Sequence, residues 1–360
     1  MVAIDSKPAE APKRDAGAPW NAARCRALVD DLREPRAAVY FLDAGLAALG
    51  GWAAFAGAAV SPGWGWALVL FAAASLLLYR GLAFIHELFH QQGLRAFRIV
   101  WHALVGVPLL LPLLLYLPIH QAHHNAQLYG TALDGEYEQF EGRRTRMTLR
   151  LLLLNLALPV ALVVRFAVLT PLGALIPAVR THVIPSFVHL SLRMPFKAPE
   201  LRGATAAEAR WVEIACMAWA WLLVAALFAG YAWLVGLWAL LLVVIATLNT
   251  VRALCSTHLY VERDEGRDTM GQVADSLNID GGWATQLLCP VGLQYHALHH
   301  LAPYLPYHAL PQAHRRLMAQ LPSDSIYRHV TVPSLYQGWR RLVAATEPPM
   351  ATSATGASTG

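Results

Sequence analysis

The sequence predicts an all-α integral membrane protein with four transmembrane helices, whose other segments gather three histidine clusters on the cytoplasmic side. Three observations lead there. Only 14% of the 360 residues are charged and 56% are hydrophobic, against about 25% charged in an average soluble domain. No Lys or Arg lies between Arg36 and Arg80, or between Arg210 and Arg252, and long apolar runs fill those gaps. Eight of the 15 histidines fall in three tight clusters at helical spacing.

Residues 1–36 are polar, rich in Ala, Pro and Arg, and lack the apolar core of a signal peptide. They read as a cytoplasmic N-terminal segment ahead of one membrane domain, 37–347. A spanning helix needs about 20 apolar residues, and residues 39–60 supply the first. Ser61-Pro62-Gly63 makes a turn, and 64–85 form a second span that runs directly into His86. Residues 99–119 are apolar but contain Pro108, Pro112 and Pro118. A single crossing there would separate the first two clusters, so an in-plane or re-entrant path is expected. Residues 149–190 are apolar but broken by Arg165, Arg180, His182 and prolines, which suggests interfacial helices or a shallow hairpin. Spans three and four are expected at 212–233 and 234–251, the last helix continuing to His258. The small, polar tail 348–360 reads as disordered.

Neither turn between paired spans contains a basic residue. The basic residues concentrate in the N-terminal segment, in 95–210 and in 252–341, so the positive-inside bias places these on the cytoplasmic face. All three clusters then share one side. The net charge of +5 is modest and no nucleic-acid partner is expected. Cys25, Cys216, Cys255 and Cys289 are scattered and suggest no disulfide framework.

The clusters are HxxxH at His86 and His90, HxxHH at His120, His123 and His124, and a second HxxHH at His296, His299 and His300. Residues four apart on a helix stack on one face, about 6 Å apart. In HxxHH the first and last histidines share that face and the middle one is rotated by one residue step. Such a cluster can serve two metals at once, and eight imidazoles exceed what one ion takes. Imidazole suits Fe, Zn, Cu and Ni alike. His258, leaving the cytoplasmic end of span four as His86 and His90 leave span two, is a ninth candidate.

His86-Glu-Leu-Phe-His90, His120-Gln-Ala-His-His124 with Asn125, and Gln294-Tyr-His-Ala-Leu-His-His-Leu-Ala-Pro303 resemble the histidine boxes of the membrane fatty acid desaturase superfamily. The resemblance runs from about residue 64 to about 342. Asp134-Gly-Glu136-Tyr137 is similar to the acidic pair that follows box two. Membership implies a four-span bundle, a cytoplasmic helical cap, and a centre of two non-haem Fe ions with O2 as co-substrate. It also implies the ligand set His86, His90, His120, His123, His124, His258, His296, His299 and His300. Introduction of a double bond into a fatty acyl chain is the leading expectation; a lipid or carotenoid hydroxylase or ketolase is the alternative. Membrane lipids would surround the protein, and an external donor of ferredoxin, rubredoxin or cytochrome b5 type would supply electrons, since no fused His-Pro-Gly-Gly motif is seen. Glu87, Asn125, Asp134, Glu136, Asn249 and Gln294 are candidates to orient the ligands. Some relatives have an Asn four residues before the histidine that follows span four; here Leu254 stands there and Asn249 is nearest.

His86-Glu-Leu-Phe-His90 is also a literal HExxH, the zinc-protease pattern with Glu87 as general base, but a protease needs neither HxxHH. A histidine-rich transporter would place ionisable groups inside its spans, whereas Asp43 and Glu213 are expected at span ends. His102, His182, His189, His308, His314 and His329 are single and read as structural. Arg143, Arg144 and Arg146 suit anionic headgroups, or an acidic electron carrier.

Overall fold

The structure is a computed structural model that describes residues 20–137, 144–185, 203–260 and 265–345. The expectations for 1–19, for the tail, for His189 and for Arg143 lie outside the described residues. Within them the fold is helical apart from one two-residue parallel pairing, β1 (Asn278–Ile279) with β2 (Thr331–Val332).

Helices α2 (Ala37–Val60) and α3 (Trp64–His90) form an antiparallel hairpin around Ser61-Pro62-Gly63. They approach closely because Gly51 offers no side chain: a Cβ there would sit 2.7 Å from Leu78 Cγ. The second hairpin pairs α8 (Gly203–Phe228) with α9 (Ala232–Ser256). Its turn lies at 229–231, ahead of the 233/234 junction expected. Gly230 adopts φ +90°, a conformation open to glycine without strain. With α8 beginning at Gly203, Glu213 falls inside the helix and not at its end. It stays buried because Arg165 and Arg180 both donate to it, at 2.9 and 2.8 Å. Asp43 is likewise inside α2, held by Arg80.

Among the described residues five helices are long and apolar enough to cross a membrane, where four spans were expected. The fifth is Arg146–Leu175, a run of 30 residues with mean hydropathy 2.3. It comprises α6 (Arg144–Val163), a π-helical stretch at Val164–Leu169, and α7 (Thr170–Leu175). Where interfacial helices or a shallow hairpin were expected at 149–190, one continuous helical run extends as far as Leu175, pinned to α9 by Asn155 donating to Thr250 (2.9 Å).

Residues 99–119 are broken as their prolines suggested. Helix α4 (Arg95–Trp101) passes through a π-helical turn, and α5 (Leu113–His123) starts after Pro112. Proline removes backbone donors, and the Pro108 carbonyl between the two helices accepts from Trp219 and Trp238 indoles at 3.0 and 2.9 Å. This ties the loop to the α8–α9 hairpin.

The rest forms a layer over one end of the bundle: α1 (Ala22–Ala27), α10 (Thr269–Asp275), α11 (Trp283–Leu288), α12 (His296–Leu301), α13 (Leu310–Gln320), α14 (Ile326–His329) and α15 (Leu335–Ala345). Residues 20–36, read as a separate polar segment, take part in it. Cys25 and Val29 are buried in the common core, and Arg26 Nε donates to the Leu301 carbonyl at the end of α12.

Candidate metal centre

Four chain segments deliver the nine histidines. His86 and His90 occupy the last turn of α3; His120 and His123 lie on α5, with His124 just past its end; His296, His299 and His300 lie on the six-residue α12. The expected extension of span four to His258 does not occur. Helix α9 stops at Ser256, and His258 sits in an extended segment bridged to Ser276.

The nine imidazoles converge in two groups. His86, His90, His120, His124 and His299 form one, and His123, His258, His296 and His300 the other; within each, one nitrogen per ring lies within 4.8 Å of all the rest. Each HxxHH splits as helical geometry requires. The first and last residues enter one group, and the middle residue, 100° round the helix, enters the other.

The hydrogen bonds settle which nitrogen faces inward. Tyr129 donates its hydroxyl to Asp275 (3.1 Å), so its oxygen accepts from His258 Nδ1–H (2.9 Å). Gln272 Nε2 donates to the Arg267 carbonyl, which turns its Oε1 toward His300 Nδ1–H (3.0 Å). His258 and His300 therefore present bare Nε2 lone pairs, and both point at His296 Nε2, at 2.9 and 3.2 Å. In the other group Glu136 Oε1 accepts from His120 Nδ1–H (2.7 Å), leaving His120 Nε2 bare between those of His90 (2.9 Å) and His124 (3.1 Å). Both ring nitrogens of His86 are buried without a protein partner. Converging, dehydrated lone pairs are costly unless a cation lies between them. The donor set fits two imidazole-rich metal ions.

Electrostatics agree. Burial, and then the neighbouring imidazoles, hold His120, His124, His258, His296, His299 and His300 well below the usual histidine range. They are neutral and ready to ligate. For His123 burial acts downward too, but the carboxylates of Asp134, which meets Nδ1 at 2.9 Å, Glu136 and Asp275 together outweigh it and raise the pKa. Asp134 thereby favours positive charge at the inward Nε2, the place a metal ion would take. Asp134 is itself fixed by the amides of Gly130 and Glu136, each at 3.0 Å.

Of the six residues expected to orient ligands, Asp134 and Glu136 touch imidazoles. The other four hydrogen-bond elsewhere among the described residues. Glu87 turns away from the histidines and is buried; it accepts from Tyr40 Oη (2.5 Å) and the Tyr307 amide (3.0 Å). It neither orients an imidazole nor stands solvated, and it is not placed as the general base of a zinc protease. Asn125 caps its own loop through the Gln127 amide, Gln294 donates to the Ile279 carbonyl, and Asn249 accepts from Arg252. The sequence reading missed Tyr116, Tyr129, Gln272 and Asp275. Gln272 and Asp275 stand three apart on α10, which is the one available signal, though that pattern is common on any exposed helix.

A cavity of about 370 Å³ opens beside the histidines, reached by His86, His258, His296 and Glu136 and walled by aliphatic side chains of α3, α5, α6 and α9. Its volume is within the range of small-molecule sites.

The family model described as fatty acid desaturase matches residues 63–331. This chain belongs to the fatty acid desaturase family. A curated relative named ceramide hydroxylase, from Caulobacter vibrioides (strain NA1000 / CB15N), is 36% identical over 318 residues, covering 86% of this chain and 89% of the relative. The desaturase-family match takes in all three histidine boxes and His258, and the two mutually close histidine groups are drawn from those residues alone. The chain is thus an oxidoreductase of a membrane desaturase/hydroxylase superfamily.

Proposed function

We propose that the chain is an O2-dependent membrane di-iron enzyme that hydroxylates a ceramide-type lipid. The observation that carries the proposal is the pair of inward-facing imidazole groups at the side of an apolar cavity. The name of the curated relative supports hydroxylation as the outcome and ceramide as the substrate class. One iron would be held by His86, His90, His120, His124 and His299, the other by His123, His258, His296 and His300. When bound, the iron pair supplies the oxidising power, drawn from O2, to break an unactivated C–H bond. One oxygen atom enters the C–H bond as a hydroxyl and the other leaves as water, using two electrons and two protons from outside.

The chain's own residues do the rest. Asp134, Glu136, Gln272 and the Tyr129–Asp275 pair fix the inward nitrogens of His123, His120, His300 and His258. The aliphatic walls exclude water and lay a hydrocarbon chain against the histidines. Desaturation is the second reading, favoured by the description of the matching family. It would differ only in the fate of the carbon after the first hydrogen is lost. A ferredoxin, rubredoxin or cytochrome b5 type carrier would deliver the electrons. The concentration of basic residues on the histidine-bearing segments supports a cytoplasmic active site.

Lipid analysis of a ceramide-producing host that expresses the chain is the test. New hydroxylated ceramides support the reading. New double bonds in their place move the chain to desaturation, and an unchanged lipid profile removes both. Purified protein should contain close to two Fe per chain, whereas one Zn per chain would sink the di-iron assignment.

A further inference from the structure

One wall of the cavity has a positive charge that no carboxylate matches among the described residues. Arg252 lines the cavity, half-buried, on the last turns of α9. Its Nε donates to Asn249 Oδ1 (3.1 Å) on the same helix, and no carboxylate pairs with it among the described residues. Two other arginines of the spans are treated differently: Arg80 is matched by Asp43 and Arg165 by Glu213. Asn249 and the Tyr79 hydroxyl meet only part of a five-donor fork, which leaves N–H groups of Arg252 to bind oxygens of a ligand.

The surroundings identify the ligand's chemistry. Asn249, and the Asn155–Thr250 pair, line the cavity together with Arg252, whereas Leu82, Leu111, Leu115, Leu154 and Leu158 belong to its aliphatic lining. Arg252 is the single Lys or Arg among the lining residues and Glu136 the single carboxylate. A near-neutral polar end joined to a long apolar wall suits a neutral, hydrogen-bonding head on a hydrocarbon chain. A phosphate or other dianionic head would call for several cations.

The position of that polar end fixes where oxidation falls. Arg252 is four residues before Ser256, about 6 Å of helix, and the chain then reaches Thr257 and His258, which line the same cavity.

We propose that Arg252, assisted by Asn249, is the headgroup site of the lipid: it binds the amide carbonyl and hydroxyl oxygens of a ceramide and so confines hydroxylation to carbons beside the amide. This rests on the hydroxylase reading above and adds both the head-binding residue and the regiochemistry.

The experiment uses the full chain. Fragmentation mass spectrometry of ceramides from an expressing host should place the new hydroxyl on a carbon close to the amide. A hydroxyl in the middle of either chain overturns the headgroup site while the hydroxylase reading stands; no new hydroxyl at all sinks both. With purified iron-loaded protein, Arg252→Gln should raise KM for ceramide about tenfold or more, as loss of a hydrogen bond to a charged group implies, and change kcat and iron content far less. An unchanged KM overturns the proposal. If the variant does not fold, competition on the wild-type protein decides: ceramide should displace bound ceramide better than ceramide phosphate or a free fatty acid does, and the reverse order overturns it.

Discussion

His123 and His299, the middle residues of the two HxxHH clusters, stand in opposite metal groups: His123 with the first and last residues of box three, His299 with those of box two. Each of these two boxes lends one imidazole to the group that takes two from the other. Neither group can be assembled from one box alone, and the four-residue group needs α5 and α12 docked together.

This exchange makes the two middle histidines separable. His123→Ala leaves three ligands in a group of four, and His299→Ala leaves four in a group of five. Iron analysis should therefore show His123→Ala falling to about one Fe per chain, and His299→Ala keeping more than that. Both should lose lipid oxidation, while His182→Ala keeps both iron and activity. Equal iron loss in the two variants would contradict the division into groups.

The ligands were legible in the sequence because helical spacing is a local property: the i, i+3, i+4 pattern states which imidazoles share a face without knowledge of the partner helix. The acceptors behind them were only half legible. Asp134 and Glu136 follow box two directly. Gln272 and Asp275 come from α10 and meet His300 and Tyr129 only after the cap folds. Glu87 shows the converse. Its place between two ligands suggested a part in the chemistry, yet the helix turns it 100° from His86 and onto Tyr40 and Tyr307. The fifth long helix was not counted because Arg165, Arg180, His182 and the prolines looked like breaks in the apolar pattern. Glu213, distant in sequence, neutralises Arg165.

Asp134→Asn should test how the outer acceptors act. The amide keeps the shape of the carboxylate but removes the charge that favours a cation on His123 Nε2. Loss of such a partner typically costs about 10–100-fold in metal affinity or activity, read here as iron retained during dialysis against a chelator. Glu136→Gln should cost less, since the Glu136 side chain is 24% exposed and His120 has Tyr116 as a second partner at 2.9 Å. An Asp134→Asn protein that holds iron like wild type would rule out this role.

Glu87 joins α2, α3 and the segment that follows box three, so its loss should be a loss of stability. A glutamine oxygen can still accept one hydrogen bond, but the charge-assisted pair to Tyr40 and the Tyr307 amide is weakened. Hydrogen bonds to charged groups contribute about 1.5–3 kcal/mol. Glu87→Gln should lower the melting temperature while iron content stays near two per chain. If instead the melting temperature held and activity vanished, Glu87 would have a chemical role that its present geometry does not support.

Chain length should be set independently of the position of oxidation. Ala246 lines the cavity on α9, six residues before Arg252 and so about 9 Å of helix further from the histidines. Ala246→Phe fills that part of the cavity and leaves the polar end untouched. Overpacking a fitted site costs about 1–3 kcal/mol, so kcat/KM for long-chain ceramides should fall about 10–100-fold, with short-chain ceramides much less affected. The hydroxyl should nonetheless appear on the same carbon, because the head, not the chain end, fixes the register. A hydroxyl that moved along the chain with the blocked cavity would show that the substrate is measured from its tail. The same comparison run with Leu158→Ala should widen chain-length tolerance, again without moving the hydroxyl.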